Sequence, residues 1–233
     1  RSFRSVQDDQ GETFLLLGGS GHHTGKSPSK TIFHYQDLET FGKQHFSADT
    51  PLFLWSTQDL QTIDKIPYIG QMTKQHDAIF VATGFNKWGM SAGAIAGKLL
   101  ADTVLGIENP YSSIFDPTRK KLNPKSAQSF LKKNSSVAKD FIFGKLNHSN
   151  KKTATFLPDE GGLLNRQGTK IGVYRDKEGV LHQVDPTCTH LGCSLSWNDA
   201  ERSWDCACHG SRFSYKGDVL NGPAVKPLKK HAK

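Results

Sequence analysis

Short apolar runs broken by turn residues, more than long amphipathic stripes, set the pattern of this chain. Thr13–Gly18, rich in Phe and Leu, predicts a strand. Leu38, Phe41 and His45 recur at three- and four-residue spacing and predict a helix near Tyr35–Phe46. Leu52–Ser56 reads as another strand, Ile66–Gly70 as a short apolar element ending in a turn, and Ala78–Thr83 as a buried strand. Gly84 then opens a glycine-flanked loop into a helix from about Met90 to Leu105. Its small residues Ala92, Gly93, Ala94, Ala96 and Gly97 predict close packing against a neighbour. Phe130, Leu131, Val137, Phe141 and Ile142 keep a helical period between Asn123-Pro124 and Gly144. Further on the pattern turns to β. Ile171, Val173 and Tyr174, a turn at Asp176–Gly179, then Val180, His182 and Val184 predict a hairpin.

Three regions follow: mixed α/β over 1–117, a basic helical connector at 118–150, and an all-β region at 151–233. Apolar residues make up 36% and charged residues 22%, which fits a folded chain rather than a disordered one. The longest apolar runs, such as Phe14–Leu17 and Ala78–Ala82, are far too short to span a bilayer, and no charged-then-apolar leader is present. No membrane role is expected. The net charge of +8 is concentrated: Arg119–Lys152 holds ten Lys/Arg and one acid, Asp140. No aromatics interleave these lysines as in a single-strand binder, so nucleic acid is not expected. The segment reads as a solvated face, with docking to an acidic partner as the sharper alternative.

All four cysteines lie in two short loops, Cys188-Thr189-His190-Leu191-Gly192-Cys193 and Cys206-Ala207-Cys208-His209-Gly210-Ser211. Each loop offers one Cys and one His at ligand spacing, plus one additional Cys. Two thiolates and two imidazoles supplied symmetrically suit a binuclear iron centre, with the sulfurs on one iron and the nitrogens on the other. A tetrahedral zinc site is the main alternative, but C-x-H strains a chelate on one small ion and leaves two cysteines unexplained. Two plain disulfides are a second alternative, which leaves both histidines without a role.

The pattern C-T-H-L-G-C followed by C-x-C-H-G-S resembles the Rieske 2Fe–2S domain in its disulfide-containing branch. The resemblance implies Cys188 and Cys206 on one iron, His190 and His209 on the other, and a Cys193–Cys208 disulfide joining the loops. Gly222-Pro223-Ala224 matches the family's proline loop, and Ser211 stands where a serine donates to a bridging sulfide. Where cytochrome bc-type proteins carry a sulfur-bonding tyrosine, this chain has Phe213. Imidazoles make such centres easier to reduce, at roughly −150 to +300 mV against about −400 mV for all-Cys types. With one donor missing, a potential below the top of that range is expected.

The first region resembles the C-terminal part of flavin enzymes of the D-amino-acid oxidase and glycine oxidase group. The resemblance rests on Asp64-Lys65-Ile66-Pro67-Tyr68-Ile69-Gly70 and on the Val81–Ser91 strand, loop and helix start. It implies that Gly84, Phe85, Gly89 and Met90 flank an isoalloxazine, the last two through backbone N–H groups. A plain glycine turn is the blander reading. The dinucleotide fingerprint of that group is missing, since Gly18–His23 reads as a loop rather than the start of a helix. With Arg1 in first place, the expectation is a C-terminal piece of a larger flavoprotein, inactive alone, with Arg4–Gly18 left from the substrate domain's sheet. His22 and His23 could face substrate there, although loop histidines are usually just solvated.

The expected fold is therefore α+β: a truncated α/β flavoprotein-like region followed by an all-β Rieske domain. The expected function is electron transfer from FAD, through a 2Fe–2S cluster, to an acceptor protein, with a small-molecule substrate in the parent enzyme. A Rieske ferredoxin-like carrier with an unrelated attached domain is the alternative. A ring-hydroxylating oxygenase is not expected, because its mononuclear iron domain would follow the cluster loops and only 22 residues of this sequence follow Ser211. The disulfide sits uneasily with a reducing compartment, yet a bridge of low enough potential can persist there, and a cytoplasmic location is expected.

Overall fold

The computed structural model describes residues 1–26, 30–76, 78–119 and 156–231. It forms two compact units, Arg1–Ser56 with Val137–Lys233 and, separately, Thr57–Ser136. The break after Ser56 falls inside the 1–117 stretch expected as one region.

In the first unit, β1 (Ser2–Gln7) and β2 (Thr13–Gly18) pair antiparallel from Ser2↔Gly18 to Gln7↔Thr13. The Asp8 carboxylate accepts the N–H groups of Gln10 and Glu12, which closes the turn between them. Helix α1 (Ile32–Phe46) starts three residues before the expected Tyr35. Thr31 at its start does not cap it, because that hydroxyl donates instead to Asn198 and Asp199. Lys43 and His45 in the last turn suit the negative end of the helix dipole.

The same unit holds two antiparallel meanders. One is β5 (Glu160–Arg166), β6 (Thr169–Arg175) and β7 (Leu181–Val184), the last two forming the expected hairpin. The other runs β8 (Leu195–Asn198), β9 (Ser203–Cys206), β10 (Arg212–Ser214) and β11 (Val219–Asn221). All four β9 residues are buried, so this strand is covered on both faces. Val184, Leu195, Trp204, Phe213 and Leu228 pack with Cys188, Cys193 and Cys206 in one core. Phe156, Leu164, Ile171 and Val173 form a second.

The strand expected at Leu52–Ser56 does not form. Among the described residues nothing pairs with it, and Leu52, Phe53, Leu54 and Trp55 are 73%, 72%, 56% and 56% exposed. An apolar run without a ladder partner leaves its backbone hydrogen bonds unmade, and propensity alone does not hold a strand.

In the second unit, β3 (Tyr68–Gln71) pairs antiparallel with β4 (Phe80–Thr83), followed by α2 (Gly89–Val104) and the short α3 (Ser112–Phe115). Ile69, Ala96 and Leu99 make its core, with Phe85, Leu100 and Phe115 packed against them. Two expectations need correcting. β4 is only half buried, with Ala82 exposed, because it belongs to a two-stranded sheet. Of the small α2 residues, Ala92 and Ala96 are buried, but Gly93, Ala94 and Gly97 are exposed. Arg119 fastens the expected D-x-x-P-x-x-G segment. Its guanidinium reaches both Asp64 oxygens at 2.8 Å, the carbonyls of Ile66 and Pro67, and the Tyr68 ring face at 4.2 Å. It holds the Asp64 carboxyl down at about 2. Apart from Thr118 and Arg119, the connector expected at 118–150 lies outside the described residues. No helix among the described residues is long and apolar enough to cross a membrane.

Candidate metal centre

The two Cys/His loops close on themselves in the same way. In the first, Cys188 N–H donates to the Cys193 carbonyl (2.8 Å) and Gly192 N–H to the Cys188 carbonyl (2.9 Å). In the second, Cys206 N–H donates to the Ser211 carbonyl (2.8 Å) and Gly210 N–H to the Cys206 carbonyl (3.0 Å). Gly192 and Gly210 take φ of 75° and 82°, a left-handed turn that side chains resist. Each loop thus turns sharply after its histidine. The first is joined to β8 by Leu195 N–H donating to the Pro186 carbonyl, and the second bridges β9 and β10.

The expected ligands meet in like pairs. Cys188 and Cys206 are buried free thiols that share a hydrogen bond. That bond is the main cause holding the Cys188 thiol down to about 5, and burial opposes it. The backbone N–H groups of His190 and Leu191 and the Ser211 hydroxyl push the same way. Cys206 is pushed up by the same shared bond and by burial, while the N–H groups of Cys208 and His209 pull it down. Both sulfurs therefore sit among donors aimed at negative charge. His190 and His209 are exposed, their ring centres 5.0 Å apart and nearly perpendicular.

Cys193 and Cys208 form the disulfide implied by the sequence resemblance. The sulfurs of Cys193, Cys206 and Cys208 lie within 4.8 Å of one another, a spacing suited to metal. Since two of the three are bonded together, Cys206 is the thiol of that group free to ligate. The donor set fits a cluster with buried sulfur and outer nitrogen ligands. Gly222–Ala224 closes over this end, with Ala224 N–H donating to Ser211 Oγ at 3.0 Å. Thr189 Oγ1 donates to the Lys226 carbonyl at 2.6 Å and ties the first loop to the same segment. Phe213 is fully buried and offers no donor.

Sequence reading missed a buried polar network behind the second loop. Arg212 pairs with Asp205 (3.1 Å), which Asn198 also contacts (2.8 Å). Arg212 further reaches Ser203 and Ser56, each at 3.1 Å, and Glu201 at 3.4 Å. Thr31 joins through Asn198 and Asp199, and Tyr35 donates to Glu201. The one local signal was charge beside each end of the loop, at Asp205 and Arg212. Nearby, a β-carbon on Gly25 would fall 2.7 Å from the Ala207 nitrogen, so this glycine lets the 19–26 loop lie on the second Cys/His loop. His22 stacks on His34 at 4.0 Å, and burial lowers its pKa. His23 is exposed.

The residues expected beside a flavin lie together in the second unit, at the start of α2. Gly84 has φ of 78° and sits against Thr62. Phe85 is half buried against the Ile69 core and bridges Gln61. Gly89 begins α2 with open space beside it, and Met90 is 90% exposed.

Residues 152–232 match the family model of the Rieske [2Fe-2S] domain, and residues 3–103 that of the FAD dependent oxidoreductase. The chain is 48% identical over 219 residues to a Bacillus subtilis (strain 168) protein named "Putative Rieske 2Fe-2S iron-sulfur protein YhfW". The match covers 94% of this chain and 43% of that protein, so the chain spans less than half the relative's length. The cytochrome b6-f complex iron-sulfur subunit of Chlorobaculum thiosulfatiphilum is 41% identical over 78 residues, which cover 34% of this chain and 43% of the subunit. A solved Rieske protein of the Synechocystis PCC 6803 plasma membrane, PetC3, is 36% identical and covers 31% of this chain and 74% of its own, at a TM-score of 0.29.

Proposed function

Because this chain joins a FAD dependent oxidoreductase region to a C-terminal Rieske domain, which imply FAD and a 2Fe–2S cluster, we propose that it is the electron-transfer module of a flavin-dependent oxidoreductase. It takes electrons that a small-molecule substrate has given to flavin and delivers them to an acceptor protein. The observation that carries this reading is the paired loop geometry: two buried, hydrogen-bonded thiols and two exposed imidazoles 5.0 Å apart, on loops closed by the same backbone bonds. A 2Fe–2S cluster supplies one-electron chemistry with charge shared between two irons.

In this reading Cys188 and Cys206 hold one iron, and His190 and His209 the other. The protein's part is to make added negative charge tolerable. The N–H groups of His190, Leu191, Cys208 and His209 and the Ser211 hydroxyl point at sulfur, and such bonds strengthen as charge grows. Leu195, Trp204 and Phe213 keep water from the thiol side. On the other side the exposed His190 and His209 are the exit toward an acceptor. Gly84, Phe85, Gly89 and Met90 would flank the flavin, Gly89 and Met90 through N–H groups at the α2 start. The cytoplasm is the proposed compartment.

Iron, acid-labile sulfide and EPR of purified protein test this. The expected result is two irons and two sulfides per chain, with a reduced-state signal of Rieske type that Cys188→Ser and His209→Ala abolish. Zinc without sulfide would overturn the reading.

A further inference from the structure

A line of indoles and phenols leads away from the thiols through the first unit. Trp204 on β9 is fully buried and packs in one core with Cys188, Cys193 and Cys206. Its ring centre is 4.8 Å from Trp197 on β8, Trp197 is 5.1 Å from Tyr174 on β6, and Tyr174 is 4.9 Å from the half-buried Tyr215. The line passes from one sheet to the other and ends toward solvent. Glycines make room for both indoles. A β-carbon on Gly172 would come within 2.9 Å of Trp204, and one on Gly161 would collide with Trp197.

The two ends differ in where a proton can go. Trp204 Nε1 is buried and has no hydrogen-bond partner among the described residues. A buried donor left unpaired costs free energy and calls for an explanation. The Tyr174 hydroxyl donates to Asp159 Oδ1 at 2.7 Å, and Arg202 fixes the carboxylate through both oxygens, at 2.5 Å to the same Oδ1 and at 2.7 Å to Oδ2. An indole that loses an electron without shedding its proton stays a strongly oxidising cation. A phenol that passes its proton to a bonded carboxylate as it loses an electron comes to rest as a neutral radical. Oxidation therefore runs one way, from Trp204 toward Tyr174.

We propose that Trp204, Trp197, Tyr174 and Tyr215 form an escape path that carries oxidising equivalents from the metal centre to the surface and spares the thiolate ligands. The inference rests on the cluster reading above. The oxidant is a hydroxyl-radical-class species from hydrogen peroxide, which a reduced cluster would split into that radical and hydroxide by giving up one electron. It takes one electron from Trp204 and becomes hydroxide. The Trp204 cation takes an electron from Trp197, which takes one from Tyr174, and the phenol proton of Tyr174 moves to Asp159. Tyr174 recovers its electron from Tyr215 and its proton from Asp159, while Tyr215 releases its own proton to water. A thiol in solution then gives a hydrogen atom to the Tyr215 radical.

The test is a hydrogen peroxide challenge of the cluster-loaded full chain, wild type against Trp197→Phe and Tyr174→Phe. Visible absorbance follows cluster loss, and peptide mass spectrometry locates oxidised residues. The EPR signal recorded before peroxide is added reports on the cluster reading by itself. In the wild type, challenged without added thiol, oxidation is expected to gather at Tyr215, where the path ends. Both variants are expected to bleach several-fold faster and to carry the damage at Cys188 and Cys206 instead. Tyr174→Phe keeps the ring and removes the hydroxyl alone, so a purely packing role would leave its bleaching rate and damage map unchanged. Equal rates and equal maps in all three proteins would overturn the proposal.

Discussion

Ser211 shows how much one side chain can do at this centre. It is fully buried, accepts the Ala224 N–H through Oγ at 3.0 Å, and donates to Cys188 sulfur. Ser211→Ala removes a donor that favours the reduced, more negative state. The midpoint potential is expected to fall by about 60 mV, the one-electron equivalent of a tenfold shift. Redox titration of the EPR signal reads this directly, and an unchanged midpoint would refute the donor role. Asp64 gives a second residue-scale prediction. Its pKa is lowered from 3.8 to about 2, mainly by the Arg119 hydrogen bonds, and both side chains are largely buried. A depressed acid stabilises the fold above its unfolded pKa, and that contribution disappears as pH falls through the folded value. The second unit should therefore lose about 2 kcal/mol between about pH 4 and pH 2. Asp64→Asn should abolish that part of the acid sensitivity in pH-dependent urea melts. Cysteine and histidine spacing was visible along the chain, because ligand geometry imposes it within a few residues. The donors aimed at sulfur were not visible, since backbone N–H groups carry no residue signature.

At the scale of elements, strands with local partners were legible and strands without them were not. The β6–β7 hairpin forms across the expected Asp176–Gly179 turn, because its pairing is decided by a few residues on either side. The apolar run at Leu52–Ser56 has strand composition but no ladder, and it stays irregular. In the same way, sequence recognised α2 but not which of its small residues are covered. Packing between the two meanders is a further case. Gly161 on β5 lies against the Trp197 ring on β8, and nothing in the local β pattern says that this position excludes a methyl group. Gly161→Ala is expected to cost about 1–3 kcal/mol through overpacking. Chemical denaturation would show this as a lower midpoint at unchanged slope, and a neutral outcome would mean that the indole has room to retreat.

Across the whole first unit, the segment Arg1–Ser56 shares buried polar partners with the β8–β10 strands. Arg212 gathers Asp205, Ser203, Glu201 and Ser56, while Thr31 at the start of α1 reaches Asn198 and Asp199. Removing the cation leaves Asp205 buried and uncompensated beside Cys206. Arg212→Met is expected to lose about 3–5 kcal/mol. Urea unfolding followed by far-UV circular dichroism measures it, and a loss below about 1 kcal/mol would show that water reaches the carboxylate. The sequence by itself determined the chemistry at the two loops, because metal ligands, glycine turns and the disulfide cysteines are spaced by short-range geometry. Only the tertiary structure decided where the indoles line up, which backbone N–H groups reach the sulfurs, and that residues 31, 35 and 56 meet residue 212 and its neighbours. Those contacts join positions more than 150 apart in the chain, where the order of residues carries no local trace of the encounter.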